Sequence, residues 1–156
     1  MAGSRMTVPV RPCKDCAAEG VTTTRPTPYP GPRCNSHHRE WRKLKRAKAH
    51  ERHVEKTYGL TAVEYADLYL AQGGRCFVCQ RATGAAKRLA VDHDHRKGCG
   101  HPPDQGCRNC VRTLACGPCN QVVLGRYTAE ALARAIMVLT DPPAQKILNP
   151  QGAQQQ

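Results

Sequence analysis

The chain is poor in the residues that build an ordinary apolar core. It has one Phe, one Trp and two Ile, and Leu, Ile, Val and Phe together make only 24 of 156 residues, below the roughly 20% under which a charged chain is suspected of disorder. It lacks any run near the roughly 18 apolar residues of a membrane span, and its start, MAGSRMTVPVRP, has no apolar stretch of the signal-peptide kind. These absences argue against a core held by oil alone and against a membrane protein, and they predict an intracellular chain with reduced thiols. Acids are scarce too: 12 Asp plus Glu against 24 Lys plus Arg give a net charge of +12. Such a surplus favours a polyanionic partner. Without lipidation motifs or an apolar-faced basic helix, that partner is nucleic acid rather than a membrane.

What the chain has in quantity is sulfur and imidazole. Its ten Cys and seven His are the candidates to supply the missing folding energy, because metal sites stabilise small or core-poor domains. Ten Cys scattered at random would form roughly 0.6 Cys-x-x-Cys pairs, yet there are four: Cys13/Cys16, Cys76/Cys79, Cys107/Cys110 and Cys116/Cys119. A two-residue gap turns both thiolates of a tight turn toward one tetrahedral ion, the geometry of zinc, and disulfides do not suit a reducing compartment. Buried free cysteines are the competing reading. Cys13 and Cys16 are followed, after a Pro-rich loop, by Cys34 and either His37 or His38, which predicts a zinc knuckle over residues 13–38. Cys76, Cys79, Cys116 and Cys119 form a second set, able to pin a hairpin to a helix that starts after Pro118. Cys99, His101, Cys107 and Cys110 form a third, to be weighed against a reactive thiol cluster. One to three structural Zn²⁺ ions are expected, and three would leave the charge at about +8.

The remaining segments read as an α+β chain. Residues 1–12 are a flexible arm. From Ser36 to Tyr58 the sequence is rich in helix formers and free of Gly and Pro, with Gly59 as its stop, and residues 39–58 make a basic helix. Arg39, Lys43, Arg46, His50 and His53 line one face, flanked by Arg42, Lys45, Lys48 and Arg52. Such a rod is either a solvated linker or an arm that tracks DNA phosphates, and the excess of cations favours the arm. In LTAVEYADLYLAQGG, Thr61 and Glu64 form a capping box, Leu60 and Tyr65 a hydrophobic staple, and Val63, Tyr65, Leu68 and Tyr69 a buried stripe before Gly73. Leu89–His93 and Val111–Ala115 read as two short strands. Leu132, Ile136 and Leu139 recur at helical spacing behind a Thr128 cap, and residues 141–156 read as a disordered tail.

The segment VDHDH carries the second chemical signal. On a strand, Asp92 and Asp94 share one side and His93 and His95 the other. Phosphodiester hydrolysis needs a base for the attacking water and a hard cation for the charge that develops on phosphate, and an imidazole with oxygen ligands provides both. The alternative is another zinc site on His93 and His95. The residues alone leave these two open.

The ordered set YGLTAVEY, QGGRCFVC, VDHDH, VR-L and CGPCN, with Leu124 and Gly125 beyond, spans Tyr58 to Gly125. It resembles the recombination endonuclease VII family of HNH or ββα-metal nucleases, phage-type members included. The resemblance implies a small zinc-stapled ββα-metal (His-Me finger) core over residues 59–140, flanked by helices and the N-terminal knuckle. It implies a DNA endonuclease with a one-metal mechanism that leaves 5′-phosphate and 3′-hydroxyl ends. His93 would be the general base, Asp92 and Asn120 the ligands of a catalytic Mg²⁺ or Mn²⁺, and Asp94 and His95 secondary residues. Arg112 would hold a neighbouring phosphate or support the hairpin. Thr113 stands where the family pattern has Gly, and the first acid after Asn120 is Glu130, so no further acidic ligand is expected. The stretch after Gly125 is short for the long dimerisation helices of junction-resolving members; junction resolution is not expected, while a homodimer stays open. The rival class is a non-catalytic zinc protein that binds nucleic acid. A zinc deaminase is excluded by the lack of H-x-E ahead of P-C-x-x-C. A phage-encoded chain would act in the host cytoplasm.

Overall fold

The computed structural model describes residues 12–21, 25–95, 98–102 and 104–149. Apart from Pro12, the expected arm lies outside the described residues, as do residues 150–156 of the expected tail. The elements are α1 (Lys14–Ala18), α2 (Asn35–Tyr58), α3 (Ala62–Ala71), β1 (Ala90–His93), β2 (Val111–Ala115), a π-helical segment (Cys119–Leu124), α4 (Ala129–Thr140) and α5 (Pro143–Leu148). The two strands pair antiparallel, so the chain is a mixture of helices and one small sheet. It divides into two compact units, Met1–Glu55 and Lys56–Gln156.

The first unit has almost no oil. Its buried residues are Cys13, Cys16 and Cys34, which cluster together, and Val54. The backbone closes around the thiols, with Lys14 N–H donating to Pro32 O at 2.9 Å and Val21 N–H to Cys16 O at 2.9 Å. Helix α2 starts at Asn35, directly after Cys34, earlier than the basic segment 39–58 suggests; His37 and His38 therefore lie in its first turn. It ends at Tyr58, where Gly59 takes the left-handed φ of 67° that a helix stop of this kind requires.

The second unit is built on the hairpin and α3. Thr61 caps α3 through the reciprocal box with Glu64, and both staple residues, Leu60 and Tyr65, are buried. Tyr65 also donates its hydroxyl to Leu89 O at 2.8 Å, tying α3 to the approach of β1. Of the predicted α3 stripe, Val63 is 69% exposed. It sits two residues before Tyr65, about 200° round the helix, and so faces away from the buried side. Leu89, Val91, Leu114 and Ala115 complete the apolar core.

The sheet has only two strands, and a side chain completes its edge. Gln72 Oε1 accepts from Leu114 N–H and from Thr113 Oγ1, each at 2.8 Å, while Gln72 Nε2 donates to Leu114 O at 2.9 Å. One amide thus satisfies the backbone groups that a third strand would otherwise pair. Thr113, where the family pattern has Gly, spends its hydroxyl on the same amide.

Beyond the hairpin, Thr128 caps α4 by accepting from Ala131 N–H at 3.3 Å. The apolar side of α4 faces solvent, with Ile136 61% and Leu139 83% exposed. The tail differs from its expected disorder over Pro143–Leu148, which form α5. Pro143 opens that helix with a preset φ, and Lys146 reaches back to pair with Asp141. With so little oil in either unit, stripping thiophilic metal should unfold the chain. A strong zinc chelator should abolish the cooperative thermal transition seen by circular dichroism, and restoring Zn²⁺ should recover it. An unchanged transition would mean that apolar packing suffices.

Candidate metal and catalytic centre

Three ligand sets converge, each with its donor atoms within 4.8 Å of one another: Cys13, Cys16, Cys34 and His37; Cys76, Cys79, Cys116 and Cys119; and Cys99, His101, Cys107 and Cys110. Two Zn–S bonds of about 2.3 Å at a tetrahedral angle separate the sulfurs by about 3.8 Å. Cys16 and Cys34 stand 3.9 Å apart, as do Cys79 and Cys116. The donor sets and spacings therefore fit zinc.

In the first set His37, of the two adjacent histidines, is the one that faces the sulfurs. His37 Nδ1 lies 3.3–3.4 Å from the Cys13, Cys16 and Cys34 sulfurs, while its Nε2–H donates to Glu19 Oε1 at 3.1 Å. A ring that meets the ligand cluster with one nitrogen and a carboxylate with the other is oriented as a metal ligand is. Its hydrogen bond to Cys13 leads the influences that raise His37 to about 9. His38 points elsewhere and stacks on Tyr29.

The second set joins the turn after α3 to the far end of the hairpin. Backbone N–H groups of Arg81 and Ala82 lead in lowering Cys79 to about 6, which favours the thiolate that a metal needs. Cys116 N–H donates to Cys76 Sγ at 3.3 Å. The third set lies within the β1–β2 connection: His101 Nε2 is 3.3 Å from Cys110 Sγ, and His101 Nδ1–H donates to Pro102 O at 3.1 Å. Arg108 in this connection pairs with Glu64 of the α3 cap.

The hairpin brings the VDHDH residues against this framework. Asp92 pairs with Thr113 but His93 pairs with Val111, so Arg112 is the extra residue of a β-bulge. Bulges re-aim side chains, and here Arg112 turns back onto Asp92, Nε donating to Oδ2 at 2.6 Å and Nη2 to Oδ1 at 3.0 Å. Asp92 is the one buried charged residue among the described residues, and a buried carboxylate requires such a partner. Of the two roles expected for Arg112, this geometry serves hairpin support: two of its donors are committed to Asp92 and are not offered to phosphate. A carboxylate has about four lone-pair sites, so the pair leaves each Asp92 oxygen able to accept once more. Asn120 lies directly after Cys119 on the π-helical segment, against which β1 packs.

His93 closes β1 between two rings, 4.2 Å from His95 and 5.3 Å, edge-on, from Tyr58. Burial first, then the neighbouring His95, hold its pKa below the ordinary histidine value, against the opposing pull of Asp92; the neutral ring is favoured. His93 Nε2 is buried and has no hydrogen-bond partner among the described residues, an unusual state for a polar atom. The predicted cations Arg39, Arg42, Lys43, Lys45, Arg46, Lys48 and Arg52 are all exposed on α2.

Tyr58 and Gly106 were not singled out by spacing, yet they frame His93. Gly106 N–H donates to Thr57 O at 2.9 Å, and a Cβ there would lie 2.7 Å from Tyr58 Cδ1 and 3.2 Å from His93 Cδ2. Only glycine lets the metal-ligating connection press so close. The sole sequence signal was its place one residue before Cys107.

The hairpin, its flanking helices and three Cys/His sets that could hold zinc define a small α+β protein with Asp92 and His93 adjacent on β1. Residues 51–141 match the family model of recombination endonuclease VII. The Gene 59 proteins of Mycobacterium phage D29 and Mycobacterium phage L5 are each 46% identical over 140 residues, covering 88% of this chain and 78% and 79% of theirs. No solved structure matches. The chain belongs to the recombination endonuclease VII family, and membership implies a nuclease.

Three substitutions test the centre. By metal analysis, His37→Ala should lose one zinc equivalent and His38→Ala none; the reverse result would exchange the two roles. Gly106→Ala should cost about 1–3 kcal/mol through overpacking against Tyr58 and His93, read from chemical denaturation of the zinc-loaded protein. An unchanged midpoint would refute the close approach.

Proposed function

We propose that this chain is a metal-dependent DNA endonuclease of the HNH, or ββα-metal, type. The observation that carries the reading is His93: a ring favoured in its neutral form, with a buried nitrogen lacking any partner among the described residues, next to Asp92 and within a sulfur-ligated hairpin. A polar atom kept without a partner is suited to a reacting group that the protein does not itself supply.

In this reading His93 takes the proton of the attacking water, while Tyr58, His95 and Gly106 fix the ring's orientation. Asp92 and Asn120 offer oxygen donors of the kind that suit Mg²⁺ or Mn²⁺, and the two hydrogen bonds from Arg112 hold the Asp92 carboxylate in place. The bound cation would offset the charge that gathers on the phosphate and the leaving oxygen. Attack by water in line with the leaving 3′-oxygen produces a 5′-phosphate and a 3′-hydroxyl. The exposed cations of α2 hold the DNA backbone and fix no sequence, because phosphate contacts position rather than specify. The mycobacteriophage origin of the relatives supports DNA within an infected host cell as the substrate.

The Asp92–Arg112 pair favours one rival, a zinc protein that binds nucleic acid without cutting it, since the pair already satisfies the carboxylate. Supercoiled plasmid decides between them. Wild type should nick it with Mg²⁺ and not without, giving ends that ligase can reseal, and His93→Ala should lose at least about a hundredfold in rate, as removal of a general base does. Equal nicking by both proteins would remove His93 as the base. Tight binding with no nicking under any divalent cation would establish the rival.

A further inference from the structure

His38, the histidine that does not face the first sulfur cluster, belongs to an arrangement the nuclease reading leaves unused. Its ring stacks on Tyr29, with centroids 4.3 Å apart and planes 21° off parallel, and lies 5.6 Å from Trp41. Lys45 Nζ sits 4.9 Å from the Trp41 centroid and Arg33 Cζ 5.2 Å from it. Arg33 also pairs with Asp15 at 2.7 Å. The outer rings are open to solvent: Tyr29 is 45% and Trp41 37% exposed. All of these residues belong to the first compact unit.

The core of that unit does not explain the exposure. Its buried cluster is made of Cys13, Cys16 and Cys34, so none of the three rings is needed to fill it. The chain nonetheless brings the rings together. His38 follows the ligand-facing His37 on α2, and Tyr29 stands within Pro28-Tyr29-Pro30-Gly31-Pro32, where prolines limit the backbone entropy lost on binding. An aromatic column, open at the Tyr29 end and bordered by cations, has the composition of a surface on which nucleobases stack while their phosphates are neutralised.

We infer that Tyr29, His38 and Trp41 form a stacking platform for unpaired nucleobases of DNA, with Lys45 serving the adjoining phosphates. A base inside a duplex has both faces covered by its neighbours, so the platform engages only nucleotides that are unpaired: single strands, gaps, flaps or loops. The inference rests on the proposed nuclease reading for its choice of DNA, and it deepens that reading by naming the substrate class.

Full-length zinc-loaded protein, without added Mg²⁺, is titrated with a short oligothymidylate carrying one 2-aminopurine and with a duplex of equal length. Binding of the single strand should quench the 2-aminopurine and change the emission of Trp41, the chain's only tryptophan. Tyr29→Leu should weaken single-strand binding about tenfold, the scale of one lost base–aromatic stack, with duplex binding changed less than twofold. Tyr29→Phe should restore it, and zinc content should stay at the wild-type value in both. Unquenched 2-aminopurine at saturation with wild type overturns the platform whatever the variants do. So does a Tyr29→Leu protein that keeps its zinc and binds the single strand as wild type does, or that loses single strand and duplex in equal proportion. Wild type that quenches the probe but never nicks plasmid keeps the platform and removes the nuclease. Wild type that nicks plasmid and leaves the probe bright removes the platform alone.

Discussion

Four thiols brought to one point hold the second unit in register. Gathering sulfur this closely is unfavourable unless something shares out the charge, and Cys119 shows that tension: burial and then the neighbouring thiols push it up to about 12, while backbone N–H groups draw Cys79 down to about 6. A divalent cation relieves it by taking all four as thiolates. The start of the hairpin approach, the end of β2 and the π-helical segment bearing Asn120 are fixed relative to one another at this point. The apolar side chains around them, Leu89, Val91, Leu114 and Ala115, are too few to do so unaided, since each fully buried aliphatic side chain contributes only about 1.5–3 kcal/mol.

Within that frame the hairpin resolves an electrostatic conflict locally. The Asp92 carboxylate is buried, and the bulge brings the Arg112 guanidinium onto it from the partner strand through two hydrogen bonds. On the other side of the strand, His93 receives aromatic neighbours and a glycine wall instead of a charge partner, so adjacent residues meet opposite surroundings. Alternation along a β-strand makes that possible in two consecutive positions.

Much of this was legible in the sequence where chemistry imposes spacing. Cys-x-x-Cys pairs announce their geometry, so the ligand sets could be written down residue by residue, and the capping box and staple of α3 followed from Thr61, Glu64, Leu60 and Tyr65. Local rules failed where the answer depends on what lies across space. Nothing in the dipeptide His37-His38 says which ring meets the sulfurs; the start of α2 at Asn35 decides it. The bulge that turns Arg112 onto Asp92 depends on strand register, which alternation alone does not reveal. Gln72, which completes the sheet edge, read as an unremarkable residue before a helix stop, and the apolar spacing of α4 describes a stripe that the described residues leave exposed.

The order of the ligands along the chain gives the second unit a nested build. Cys99, His101, Cys107 and Cys110 all fall between Cys79 and Cys116, so the inner loop is short and closes by itself, while the outer loop must bring distant segments together. Loop-closure entropy rises with the logarithm of loop length. An ion taken up by the inner cluster first would therefore shorten the free chain that the outer cluster must still gather, so the order of filling would set the order of assembly.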